Sequence, residues 1–161
     1  MKKTLLIAAF VALGIGTISC SSDDSNSHNY KKDIQGEWVK VETLYLNEDR
    51  KVIAREEATD NDGCGFDEVE FNNTTFFSRS PFKLSEEANC QVDIEESTYT
   101  LSERTITFTI VDGEEIEFKK STIINVDDST LTIEYNAGPD DFVEGVTYVQ
   151  TKHKKKGSTV N

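Results

Sequence analysis

Strict alternation of apolar and polar side chains is what most limits how this chain can fold. In "RTITFTIVD", residues 104–112, Ile106, Phe108 and Ile110 fall on one side of an extended strand, and Thr105, Thr107 and Thr109 on the other. "STLTIEY" at 129–135 sets Leu131, Ile133 and Tyr135 against Thr130, Thr132 and Glu134. "EEIEFKK" at 114–120 sets Ile116 and Phe118, as the buried face, against Glu115, Glu117 and Lys119. Asp112-Gly113 between two such runs is a hairpin signal, because glycine accepts the positive φ of a tight turn. Further turn signals at "NEDR", "DNDG", "NN", "VDDS" and "NAGPDD" divide the rest into strands expected near 36–46, 51–57, 66–71, 75–80, 91–101, 104–111, 115–124, 130–135 and 143–151. "KLSEEAN" reads as one helical turn, and Pro81 and Pro139 fall in connections.

Short antiparallel strands with one oily face must stack as two sheets or close into a barrel. A meander of eight or more sequential strands favours closure, which removes exposed edges. The expected fold is all-β: a single antiparallel up-and-down β-barrel of about eight or nine strands.

Upstream of Cys20 the chain reads "MKKTLLIAAFVALGIGTIS". Lys2 and Lys3 precede an uncharged core, Leu5 to Ile18, that is shorter than the ~20 apolar residues of a membrane-spanning helix. This is the pattern of a secretory signal, assigned to residues 1–19, and its Ser19-Cys20 end resembles a bacterial lipobox. The resemblance implies a diacylglycerol and an acylated amine on Cys20, hence a lipid anchor in a membrane. Thr17 departs from the leucine usual three residues before the cysteine, and a soluble periplasmic protein with a stray thiol is the plainer alternative. Residues 20–33 then form a flexible acidic tether. Asp23-Asp24 resembles the surface-export signal of Bacteroidota lipoproteins, or is simply part of a solvated leash.

The chain carries 30 acidic and 17 basic residues, a net charge of −13. Such a surface repels phosphate backbones, so nucleic acid is not an expected partner. The basic cluster Lys152 to Lys156 reads as the start of an exposed tail, assigned to 154–161. Setting Cys20 aside leaves Cys64 and Cys90, an even pair in an oxidising compartment, expected to be bonded to each other.

"IQGEWVKVETLY" opens the first strand with Gly36 two residues before Trp38, which resembles the Gly-x-Trp signature of lipocalins. In that family the tryptophan plugs the closed end of the barrel beneath a ligand cavity, and an arginine from the last strand stacks on it. No arginine follows here, and Lys152 is the weak substitute. The chain is similar more closely to the lipocalin-like lipoproteins of Bacteroidota. A lipidated cysteine, an acidic leash, the Gly-x-Trp opening, a cysteine pair in the first half, a passage like "FNNTTFF" and a terminal strand like "YVQTK" carry that resemblance over roughly residues 20–153. The barrel itself is assigned to 34–153.

"TDNDGCGFDEVE" invites a calcium reading, with Asp60, Asp62 and Gly65 at the first, third and sixth places of an EF-hand loop. Cys64 at the fifth and Phe71 where the bidentate glutamate must stand defeat it, so no metal is expected. Catalytic groupings are scarce. His28 lies in the tether and His153 is placed in the tail, and carboxylate pairs among 30 acids carry no signal. No cofactor and no enzymatic activity are expected. Two sequons, "NNT" and "NTT", and Asp128-Ser129-Thr130, which resembles a Bacteroidota O-glycosylation pattern, are weak hints only.

The expected protein is a monomeric lipoprotein of the cell envelope, at the outer membrane and in one reading surface-exposed. In the first of two functions, the barrel binds a small apolar or amphipathic molecule, with Phe71, Tyr99, Phe108, Phe118, Tyr135 and Tyr148 as wall residues. In the second, side chains fill the barrel and its outer surface meets a protein or glycan. Eight strands are just wide enough for either.

Overall fold

A computed structural model describes residues 29–113, 115–139 and 141–157 of the 161-residue chain. The signal segment, Cys20, Asp23-Asp24 and His28 lie outside the described residues. A short helix, α1 (Tyr30–Asp33), leads into nine strands: β1 (Gly36–Leu46), β2 (Val52–Glu57), β3 (Glu68–Asn72), β4 (Thr75–Phe82), β5 (Gln91–Ser102), β6 (Thr105–Asp112), β7 (Glu115–Val126), β8 (Thr130–Asn136) and β9 (Tyr148–Lys155). They form one antiparallel sheet in the order β2-β1-β3-β4-β5-β6-β7-β8-β9. Pairing of β1 with β9 along Trp38↔Lys155 to Leu46↔Tyr148 closes it.

β1 is long enough to serve several neighbours. Its first half pairs with β3 and its second half with β2, with a register shift between Lys40 and Glu42 on the β9 side. The result is a closed eight-strand barrel with β2 as an extra strand on the β1 hairpin.

The core gathers at one end. Ile34, Trp38, Phe71, Tyr99, Ile106, Ile123, Val126, Leu131 and Ile133 are buried there, with Val69, Phe76, Leu101 and Phe108 packed against them. α1 lies over that end. Its Asn29 side chain accepts from the Lys32 N–H at 3.3 Å, capping the first turn. Residues 30–33 are therefore not tether but the lid of the barrel.

Several strands depart from expectation. β4 runs through Pro81, which pairs with Val92. The β3 ladder has already ended at Glu68↔Arg79, so on that side no bond is lost to the missing N–H. "KLSEEAN" forms turns rather than helix. β9 begins at Tyr148, not 143, because the loop before it turns at Gly145 (φ +78°) and leaves Phe142 93% exposed. The basic cluster is no tail: Lys152 to Lys155 belong to β9, with His153 buried inside the barrel.

β7 inverts the expected faces. Ser121 and Ile123 are buried, and Phe108, packed on the core, pairs with Lys119. Parity then turns Glu117 and Lys119 inward and Ile116 and Phe118 out to solvent, 61% and 66% exposed.

Candidate functional site

The closed end is built around Trp38, which has no exposed surface. Its Nε1–H donates to the Ile34 carbonyl at 2.8 Å, tying the indole to the residue after α1. The Lys155 ammonium lies 4.6 Å from the ring centroid and donates to the Gln35 carbonyl at 2.9 Å. Lys155, not Lys152, is thus the cation on the tryptophan. Lys152 alternates to the outer face and pairs with Glu42 at 2.7 Å. Gly36 is needed beside it. Its φ is +108°, and a Cβ there would meet Lys155 Cε at 3.3 Å. Gln35 completes the seal by donating to the Tyr99 hydroxyl at 2.9 Å.

Above this plug the interior is filled. Phe71 meets Phe76 at 5.0 Å and Tyr99 edge-on at 5.4 Å between ring centroids. Phe71 and Tyr99, expected as cavity wall, are core residues. Phe108 is half-buried, its ring tilted by 59° against Phe76 with centroids 4.7 Å apart. Tyr135 faces inward at the open end. Burial pushes its hydroxyl up to about 12, with Asp141 and Tyr45 adding to the shift. Phe118 and Tyr148 do not line the interior. Phe118 is outward for the reason given above, and Tyr148 alternates with buried Val149, carrying Arg50 over its ring at 4.3 Å.

Beyond half-buried Phe76 and Phe108 the inward positions lose burial, from half-buried Ser78 and Ile110 to exposed Glu95, Glu117 and Lys119, so that the two rings sit beneath a shallow open cup. Parity places Val69, Phe76 and Phe108 on its floor. Ser78, Glu95, Ile110, Glu117 and Lys119 stand above them. Phe76 carries no alternation signal of its own in "FNNTTFF", where two adjacent phenylalanines leave the inward one undecided; only the register Phe71↔Phe76 settles it.

Two cavities among the described residues are polar. One of about 180 Å³ lies between β1, β2 and the following loop, lined by Lys40, Thr43, Glu56, Asn61 and Asp67 among others. It is smaller than the roughly 300 Å³ where drug-sized sites begin. Within it Lys40 pairs with Asp67 at 2.8 Å, and Glu56 accepts from the Tyr45 hydroxyl at 2.9 Å. A surface groove of about 470 Å³ is lined by Asp62, Lys83, Ser85 and Glu86. Cys64 and Cys90 are bonded as expected, with Cα atoms 5.5 Å apart, joining the β2–β3 and β4–β5 loops beside that groove. The segment once open to a calcium reading is a turn in which Asn61 donates to the Gly65 carbonyl and to Asp67.

His153 is enclosed at 5% exposure, beside Lys40 in the β1–β9 register. Burial, helped by the Lys40 ammonium, lowers its pKa to about 4. Its Nδ1 has no hydrogen-bond partner.

No curated protein matches the sequence. Among solved structures, the bovine lipocalin allergen Bos d 2 is similar at 14% identity, over 81% of this chain and 77% of that one, with a TM-score of 0.44. A family model for the lipocalin-like domain matches residues 34–133, from the residue that holds the Trp38 indole to the middle of β8. More than half of the chain fits that model, and the protein belongs to the lipocalin-like domain family.

Proposed function

We propose that this protein is a monomeric cell-envelope lipoprotein, anchored through Cys20 at the outer membrane, whose barrel binds one small amphipathic molecule without catalysis. The observation that carries the binding site is the Phe76–Phe108 pair, half-buried at the floor of the cup where the packed core ends. A planar or aliphatic body would lie on these rings and Val69, while its polar groups meet Ser78, Glu95, Glu117 and Lys119 at the rim. Of the expected wall residues Phe108 belongs to this floor while Phe71 and Tyr99 are packed beneath it, and the ligand is bound shallowly rather than swallowed.

Mass spectrometry of molecules extracted from the purified protein tests this reading. A co-purifying amphiphile that is lost from Phe108→Ser, with that variant still cooperatively folded, supports it. Retention by the variant refutes the cup. The anchor is tested separately: Cys20→Ser should release the protein from membranes and abolish palmitate labelling. A variant that stays membrane-bound in high salt refutes the lipoprotein reading.

A second reading, in which the filled barrel works through its outer surface, is favoured by one observation. Val92, Ile94, Val111, Ile116 and Phe118 each leave half or more of their surface exposed on the outer face of β5–β7.

A further inference from the structure

The barrel wall has a seam. The β5–β6 ladder runs from Ser102↔Thr105 to Thr98↔Thr109 and stops. β5 nevertheless continues as strand along β4 to Phe82↔Gln91, and β6 along β7 to Asp112↔Glu115. Gln91–Ser97 and Ile110–Asp112 are therefore strand edges that face one another without a ladder between them. Their backbone N–H and C=O groups on that side are free to pair with another chain.

The two faces beside the seam differ in chemistry. Parity puts Val92 and Ile94 outward on one lip, and Val111, Ile116 and Phe118 outward on the other, between 52% and 66% exposed. That is on the order of 500 Å² of apolar surface, at the upper end of what a monomer leaves contiguous. On the inner face the same strands turn Asp93, Glu95, Glu115 and Glu117 toward the cup, with Lys119 the cation at that level, 3.6 Å from Glu117. Glu96 and Lys120 point outward at the patch's edges.

We infer that the seam docks an extended segment of a partner polypeptide in which apolar and cationic residues alternate. A strand added along β5 would point every second side chain outward, among Ile94, Val111 and Ile116, and the others inward, against Asp93, Glu95 and Glu117. An alternating apolar–basic sequence satisfies both faces at once. A second copy of this chain does not. Pairing β5 with its own equivalent would set Asp93 and Glu95 against like charges, between molecules that each carry −13. The inference rests on the outer-surface reading; it shares the rim carboxylates Glu95 and Glu117 with the cup but none of the residues of its floor.

A labelled heptapeptide alternating lysine and valine is titrated into the folded protein at ~0.15 M salt. A glutamate–valine alternation and a block peptide, lysines then valines, serve as comparators. Amide hydrogen exchange is followed at residues 91–97 and 110–112. The alternating basic peptide is expected to bind at least about tenfold more tightly than either comparator and to slow exchange along 91–97. Ile94→Lys and Glu95→Lys should each weaken it by about the same factor, as exposed positions whose substitution leaves the fold intact. Equal binding of the block peptide reduces the interaction to net charge and overturns the inference. So does binding without protection of 91–97, a concentration-dependent dimer that protects those amides in place of the peptide, or insertion of Phe118 into neutral lipid vesicles that excludes it. If the cup reading fails, extraction yields no ligand while the peptide result stands; if the seam fails, the reverse holds.

Discussion

An ammonium over an indole contributes most where water is excluded, and Lys155 lies over a tryptophan with no exposed surface. Lys155→Met should cost about 1–2 kcal/mol in urea unfolding, through the lost ring contact and the Gln35 carbonyl left without its donor, while Lys155→Arg retains most of it. Trp38→Ala should cost about 3–5 kcal/mol, because the plug and the Ile34 hydrogen bond go together. His153 makes stability depend on pH. Unfolded, its imidazole takes a proton near 6.5; folded, only near 4. Between those values the unfolded chain binds more protons, so stability is full above pH 6.5 and falls on acidification toward pH 4, by about 3 kcal/mol. In His153→Gln the unfolding free energy should be flatter across that window. An equally steep profile in the variant would assign the acid loss to other groups. Trp38 was legible because the Gly36-x-Trp38 opening resembles the lipocalin signature, which implies a tryptophan plugging the closed end of a barrel. Lys155 and His153 were not, since a run reading "KHKKK" looks solvated to any scale that ignores the apolar stem of lysine.

The Cys64–Cys90 bond joins two loops across 26 residues, enclosing the β3–β4 hairpin and the connection from it to β5. Chain-entropy arithmetic for that separation gives about 3.5 kcal/mol. Cys90→Ser, or reduction, should lower the melting temperature measurably and raise amide exchange in the 58–67 loop first. β1 was readable to the residue because Gly36 opens it and Asn47 and Asp49 turn the chain after it, although its alternation breaks at the register shift between Lys40 and Glu42. β9 was not, since Phe142, Val143 and Val146 imitate a strand opening that Gly145 then breaks. In β7 the alternation was read correctly and its direction wrongly. Period two says that two faces differ, not which of them is wet; that is decided by register against β6 and by the Ile123 end of the same strand.

At the scale of the whole molecule the barrel is two halves with different fillings. One half is plugged by Trp38 and packed with aromatic and branched side chains; the other flares into charged inward positions and a split wall. Native tryptophan emission should therefore be blue-shifted and resist quenching by iodide, and exposure of the indole to quencher would contradict the plug. Hydrogen exchange in the free protein should be slowest around Phe71, Ile106 and Ile123 and fastest along Gln91–Glu96. Barrel closure followed from strand number and rhythm alone. Where the interior stops being filled did not, because it depends on which residues meet across strands far apart in sequence.

Closure through β1 and β9 has a kinetic side. The first strand finds its partner only in the last, so the ring cannot be completed until residues 148–155 are available to it. The chain segment to be looped spans over a hundred residues, and folds dominated by such long-range pairing form in milliseconds to seconds rather than microseconds. Until then the flank of β1 that faces β9 stays open along its length, a state in which a polypeptide can still be caught by a holdase. A chain truncated before Tyr148 should stay in that condition indefinitely, without a cooperative unfolding transition, however well its earlier hairpins form.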